Sequence, residues 1–125
     1  MKYYATNDAP KAIGPYSQAV SRGSTVYTSG QIPLDPATGK LVDGSFEAMV
    51  RRVFDNLEAV LASADLGFND VVKVNVFLSD MANFAVMNGV YAERMGEHKP
   101  ARSTIQVAAL PLGARIEIDM TAERG

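Results

Sequence analysis

The chain of 125 residues contains no cysteine, no tryptophan and a single histidine, His98. The first absence excludes disulfides, a thiol nucleophile and thiolate metal sites. With one histidine, a zinc centre of the usual histidine-rich kind is excluded as well, and no metal or cofactor is expected. There is no excess of positive charge. Formal net charge is −2 with Lys and Arg totalling 12 against 14 Asp and Glu, which gives no electrostatic basis for binding nucleic acid or an anionic membrane. No apolar run is long enough to span a bilayer, and Met1-Lys2-Tyr3-Tyr4-Ala5-Thr6 lacks the apolar stretch of a signal peptide. The expected setting is cytoplasmic. What is present is ordinary for a folded domain: 47% hydrophobic and 21% charged residues, enough for one core in one domain spanning 1–125.

Alternation and helical spacing divide the chain. Lys2–Thr6, Tyr16–Ser21 and Thr25–Gly30 read as strands, the last two joined by Arg22-Gly23-Ser24. Pro33 to Lys40 is rich in turn formers and reads as a loop. Phe46, Met49, Val50, Val53, Leu57, Val60, Leu61 and Ala64 recur at helical steps, with Asp43 or Ser45 available to start the helix and Gly67 to end it. Val71–Leu78 is a strand whose Val72, Val74, Val76 and Leu78 would form one apolar face. A second helix carries Phe84, Met87, Val90, Tyr91 and Met95, with Asp80 or Asn83 as its cap. Two strands close the chain, Pro100–Val107 and Arg115–Met120, with Leu110-Pro111-Leu112-Gly113 expected to join them as a hairpin. The order β-β-β-α-β-α-β-β implies an α+β domain with both helices on one face of the sheet. The other face, too polar for a core and too apolar to be simply wet, suggests a subunit interface with a site in it.

The chemistry concentrates in the last two strands. As a hairpin, Ile105 and Val107 would share a face with Ile116, Ile118 and Met120, and Arg102, Thr104, Gln106, Glu117 and Asp119 would share the other. A strand arginine is a two-pronged donor shaped for a carboxylate, and a nearby glutamate can hold or activate water. From the residues alone, an ion pair of Arg102 with Glu117 or Asp119 that stabilises an interface is the favoured reading. Two other segments draw notice. Gly14-Pro15 turns the chain to deliver Tyr16, and Thr28-Ser29-Gly30 ends a strand on a glycine that allows close backbone approach to a ligand.

Gly14-Pro15-Tyr16-Ser17-Gln18-Ala19, Thr28-Ser29-Gly30-Gln31-Ile32-Pro33, Asn56-Leu57, Val72 to Asp80, Phe84, Asn88, Tyr91, Pro100-Ala101-Arg102-Ser103, Val107 to Pro111 and Ile116-Glu117-Ile118 stand together in order and spacing. In this the chain resembles, nearly end to end, the Rid (YjgF-type) family of reactive enamine/imine deaminases. The resemblance implies a chorismate-mutase-like homotrimer with clefts between subunits. It implies hydrolysis of 2-imino acids to 2-oxo acids and ammonia, the imines arising from enamines released by pyridoxal-phosphate-dependent dehydratases. It gives Arg102 the substrate carboxylate and Glu117 the attacking water, and puts Tyr16, Ser29, Gly30, Asn88 and Thr104 in the cleft. The chain departs from the family pattern at Thr104, where many members have cysteine. It departs again in Gly96-Glu97-His98-Lys99-Pro100, a short approach to Arg102 that leaves substrate choice open.

Overall fold

A computed structural model describes residues 1–125. Six strands form one mixed sheet: β1 (Lys2–Tyr4), β2 (Ala19–Arg22), β3 (Thr25–Thr28), β4 (Val71–Leu78), β5 (Ala101–Gln106) and β6 (Ile116–Glu123). Their spatial order is β1-β2-β3-β6-β4-β5, and only β4 and β5 run parallel. Helices α1 (Phe46–Ser63) and α2 (Phe84–Met95) pack on one face, as the element order implies. No helix is long and apolar enough to cross a membrane.

Local chemistry sets the element ends. Ser45 caps α1 by accepting the Ala48 N–H at 3.1 Å, a contact that contributes about 1 kcal/mol in such positions. The helix stops before Gly67. Asp65 takes the left-handed conformation at φ 59°, and the Leu66 N–H returns to the Leu61 carbonyl, so an aspartate serves where glycine was expected. Asp80 caps a short 3₁₀ turn at Met81–Asn83 that leads into α2. The core joins Val50, Val53, Phe54 and Leu57 of α1, Met87, Val90 and Tyr91 of α2, and Val74, Val76, Leu78, Ile116, Ile118 and Met120 of the sheet. Phe54 is fully buried and meets Tyr91 and Phe68 edge-on, with ring centroids 5.9 and 5.8 Å apart. Burial of a ring of this size contributes roughly 1.5–3 kcal/mol.

Three expectations change. β2 begins at Ala19 and β3 ends at Thr28, leaving Tyr16 and Gly30 in coil. A β-bulge between Val71 and Lys73 puts Val71 in the core and leaves Val72 half exposed. The extra residue reverses the alternation once, and a run of valines does not betray it. The third correction matters most. β5 and β6 are not a hairpin, because β4 lies between them. Across that strand Ile105 aligns with Phe77 and then Glu117, whereas Arg102 aligns with Val74 and then Met120. Residues at one register position project to the same side of a sheet. Arg102, Thr104 and Gln106 therefore share the helix-covered side with Ile116, Ile118 and Met120, and Glu117 and Asp119 lie on the open side with Ile105. Arg102 and Glu117 of one chain are on opposite faces.

Candidate functional site

Glu117 stands in the middle of an open-sided cleft of about 390 Å³, whose lining includes Tyr16, Ser29, Gly30, Gln31 and Pro111. The geometry follows from a local break in pairing. Gln31 exchanges both backbone hydrogen bonds with Ile118, at 2.8 and 3.1 Å, which pins the residue after Gly30 against the residue after Glu117. Ser29 is fixed from the other side: its N–H donates to the Gln18 carbonyl at 2.9 Å and its hydroxyl to the Ser17 carbonyl at 2.6 Å. Between these anchors the Gly30 N–H and C=O have no hydrogen-bond partner, so both groups are available to a ligand. The side chain of Glu117 lies directly over Gly30. A Cβ built there would meet Glu117 Oε2 at 2.6 Å, so the glycine is needed for close approach.

Burial raises the Glu117 carboxyl above the ordinary glutamate range, and the neighbouring Asp119 carboxylate adds to the shift. Asp119 is itself raised by burial, offset in part by a hydrogen bond from Asn75 Nδ2 at 2.9 Å. A glutamate so placed takes and returns protons closer to neutrality. Tyr16 is at the mouth, nearly half exposed, its hydroxyl accepting the Ile13 N–H at 3.4 Å.

Arg102 occupies a second groove of about 260 Å³ on the helix side, between α2 and β5. Its Nη1 donates to Asn88 Oδ1 at 2.8 Å. The guanidinium stacks over the Tyr91 ring, 4.5 Å from the centroid, and lies 5.7 Å from that of Phe84. These contacts hold the fork by one prong and one face. None of the four ion pairs of the chain involves Arg102, which removes the intrachain pair with Glu117 or Asp119. An oriented arginine without an acid is a ready carboxylate site. Thr104 lies on the same side, and its hydroxyl is buried without a hydrogen-bond partner. His98 lines this groove and bonds the carbonyl of Val71 at the bulge, 2.6 Å away.

The expected site residues thus fall into two groups: Tyr16, Ser29, Gly30 and Glu117 in one cleft, and Asn88 with Arg102 in the groove behind the sheet, Thr104 alongside. Tyr91 and Phe84 read as a core stripe on α2 and as motif members but not as site residues, though an aromatic facing a strand arginine is a signal for stacking. Gln18 and Gln31 also enter the first cleft. Their signal was an amide at a position where the strand pattern calls for an apolar residue.

Comparison with known proteins places this arrangement. The Endoribonuclease L-PSP family pattern matches residues 6–124. A RutC family protein of Pyrococcus horikoshii is 50% identical over 117 residues, covering 94% of this chain and 93% of its own. The 2-iminobutanoate/2-iminopropanoate deaminase of Mus musculus is 45% identical over 124 residues, 99% of this chain and 92% of that one. The crystal structure of RidA from an Antarctic Psychrobacter superposes with a TM-score of 0.96 at 45% identity, covering 99% of this chain and all of the other. With its fold, its motifs and nearly its whole length in common with them, the chain belongs to the Endoribonuclease L-PSP family, which includes the RutC, YjgF and Rid proteins.

Proposed function

We propose that the chain hydrolyses 2-imino acids to 2-oxo acids and ammonia, in clefts that form when copies of it assemble as a homotrimer. The observation that carries this reading is the division of the site. Arg102 presents an oriented fork with no acid partner on one side of the sheet. Glu117 stands on the other side, with a raised carboxyl pKa beside an unused peptide. One small molecule cannot touch both within a chain, and a second copy supplies the missing half. The open face supports assembly, because Tyr3, Tyr27 and Ile105 are each about half exposed or more on it, interleaved with polar residues.

In such a cleft, Arg102 of one subunit holds the substrate carboxylate and orients the C=N carbon. Glu117 of its neighbour positions water. As the water oxygen bonds to that carbon, the carboxylate takes the proton. The imine enters protonated on nitrogen, so the attack leaves a neutral carbinolamine. Glu117 returns its proton to that nitrogen, and the C–N bond breaks as the hydroxyl oxygen forms the C=O. The hydroxyl proton passes through the carboxylate to the departing ammonia, which leaves as ammonium with the glutamate as it began. The Gly30 peptide is available to steady the intermediate. The mouse relative's name supports this substrate class, and enamine-releasing dehydratases are the natural suppliers of such imines.

The test is release of ammonia and 2-oxo acid from imines generated in situ by a dehydratase. Turnover well above the spontaneous rate is expected, and an undiminished rate in Arg102→Ala would overturn the mechanism. Binding of a 2-oxo acid that needs Arg102, without turnover, would instead make the chain a small-carboxylate sensor. The ribonuclease reading in the family's name has little support here, since the net charge is −2 and the charged residues lining the cleft are one lysine, Lys11, and Glu117 rather than a basic stripe.

A further inference from the structure

One wall of the Glu117 cleft is coil. Pro10, Lys11 and Ile13 line it, and residues 5–18 include no strand or helix. Such a segment has no ladder of its own to hold it, so its position must be set by side chains. A single side chain does most of this. Gln18 is 4% exposed. Its Oε1 accepts the Thr6 N–H at 2.7 Å, and its Nε2 donates to the carbonyls of Pro10 at 2.7 Å and Thr6 at 3.0 Å, with that of Ala9 at 3.4 Å. Both N–H donors are spent on the wall, and the amide oxygen is engaged by Thr6. Through its main-chain carbonyl the same residue holds Ser29, and so ties the wall to the Gly30 floor.

A second stretch of the lining repeats the device. Asn56 on α1 is fully buried. Its Nδ2 donates to the carbonyls of Leu34 at 2.9 Å and Ile32 at 3.4 Å, and its Oδ1 accepts from Arg52 Nε at 3.0 Å. Ile32 and Leu34 both line the cleft.

We infer that Gln18 is a positioning residue that sets the shape of the cleft, with Asn56 as its counterpart at the Ile32–Leu34 stretch of the lining. The inference rests on the reading that this cleft receives a small 2-oxo or 2-imino acid. Gln18 acts on the walls, whereas Glu117 is held independently by the Gln31–Ile118 pairing. Its loss should therefore weaken binding and spare the chemical step.

The experiment compares Gln18→Met and Gln18→Glu with the intact chain. Three quantities are read: KM and kcat for a dehydratase-generated imine, the dissociation constant of pyruvate by calorimetry, and the exchange rate of the Thr6 amide hydrogen. In Gln18→Met, KM and the pyruvate dissociation constant should rise about tenfold while kcat stays within about threefold, and Thr6 should exchange faster. Gln18→Glu keeps the acceptor for Thr6 but loses both donors. Protonating the new carboxyl restores one, so its pyruvate-binding defect should shrink as pH falls, which a merely destabilised variant would not do. It also replaces Gln18→Met if the latter does not fold. Equal losses in kcat and kcat/KM, or faster Thr6 exchange with unchanged KM and pyruvate affinity, would overturn the inference.

If the intact chain neither turns over imine nor binds pyruvate, the proposed function fails while the wall assignment is still decided. Tryptic cleavage after Lys11, read on the same variants, should then be accelerated about tenfold, and an unchanged rate would overturn it.

Discussion

Adding one methyl group at Gly30 should disable Glu117 while leaving the fold intact. An ideal Cβ at this position would lie 2.6 Å from Oε2, 2.7 Å from Cδ and 3.0 Å from Cγ of Glu117. Ordinary contact begins near 3.4 Å, so the shortfall is about 0.8 Å at the oxygen. Because Cγ is crowded as well, rotating the carboxylate alone brings no relief, and the side chain must swing at χ1. The methyl meets only Glu117 among its nearest neighbours, and Gly30 has no positive φ. Alanine therefore fits the backbone and slightly restricts the unfolded chain, which stabilises by about 0.4–1 kcal/mol at compatible sites. A reacting group displaced by roughly 1 Å loses about 10²-fold in rate, equivalent to ~2.7 kcal/mol of barrier. Gly30→Ala should thus keep or slightly raise Tm and lower kcat for imine hydrolysis by about two orders of magnitude. The decisive arm is the double variant. In Glu117→Ala the obstructing atoms are gone, so Gly30→Ala should add less than about threefold. Full activity in Gly30→Ala, or an undiminished penalty in the Glu117→Ala background, would refute the reasoning.

Further outcomes are expected from the same geometry. Arg102→Lys should lose about 10²-fold in kcat/KM, since a point charge replaces neither the fork nor its stacking on Tyr91; steady-state kinetics would show it. Burial and Asp119 both raise the Glu117 pKa, so the acidic limb of the kcat profile should lie above the ordinary glutamate range and move down in Asp119→Asn. A carboxyl raised on folding binds protons more tightly in the native state, so its contribution to stability declines as pH rises from the unfolded pKa through the folded one. The Tm advantage of Glu117→Gln over the parent should accordingly grow across that window in a melt series from pH 4 upward. Light scattering should find a trimer, and Ile105→Glu, which charges the open face, should shift it to monomer with loss of turnover.

The sequence carried most of the elements because its periodicities are strong. The α1 stripe and the alternation of the last strand are unambiguous, and both helices fell where predicted. It did not carry the neighbour relations of strands. Nothing between Gln106 and Ile116 indicates that β4 lies between them, and a hairpin reading of Leu110–Gly113 is locally reasonable. That single error of adjacency put Arg102 and Glu117 on one face. The bulge at Val71–Lys73 escaped for a related reason: with apolar side chains on both sides of the kink, a phase change leaves no mark. The motifs did better than the geometry. Tyr16, Ser29, Gly30 and Glu117 do converge, and Asn88 does hold Arg102, because short-range turn chemistry and helix facing are local properties. Gln18 and Asn56 were visible as motif members, but their burial depends on coil folding back over them from 8 to 24 residues away.

Placing the two charged groups on opposite faces has a genetic consequence. In the proposed ring of three, each cleft would draw its arginine and its glutamate from different copies, so two inactive alleles could complement one another. Neither Arg102→Ala nor Glu117→Ala trimers should work alone. After unfolding and co-refolding in equal amounts, about one quarter of the interfaces would pair an intact arginine with an intact glutamate. Activity would be born from two dead parents, and a cell carrying both alleles would keep a fraction of function that neither confers.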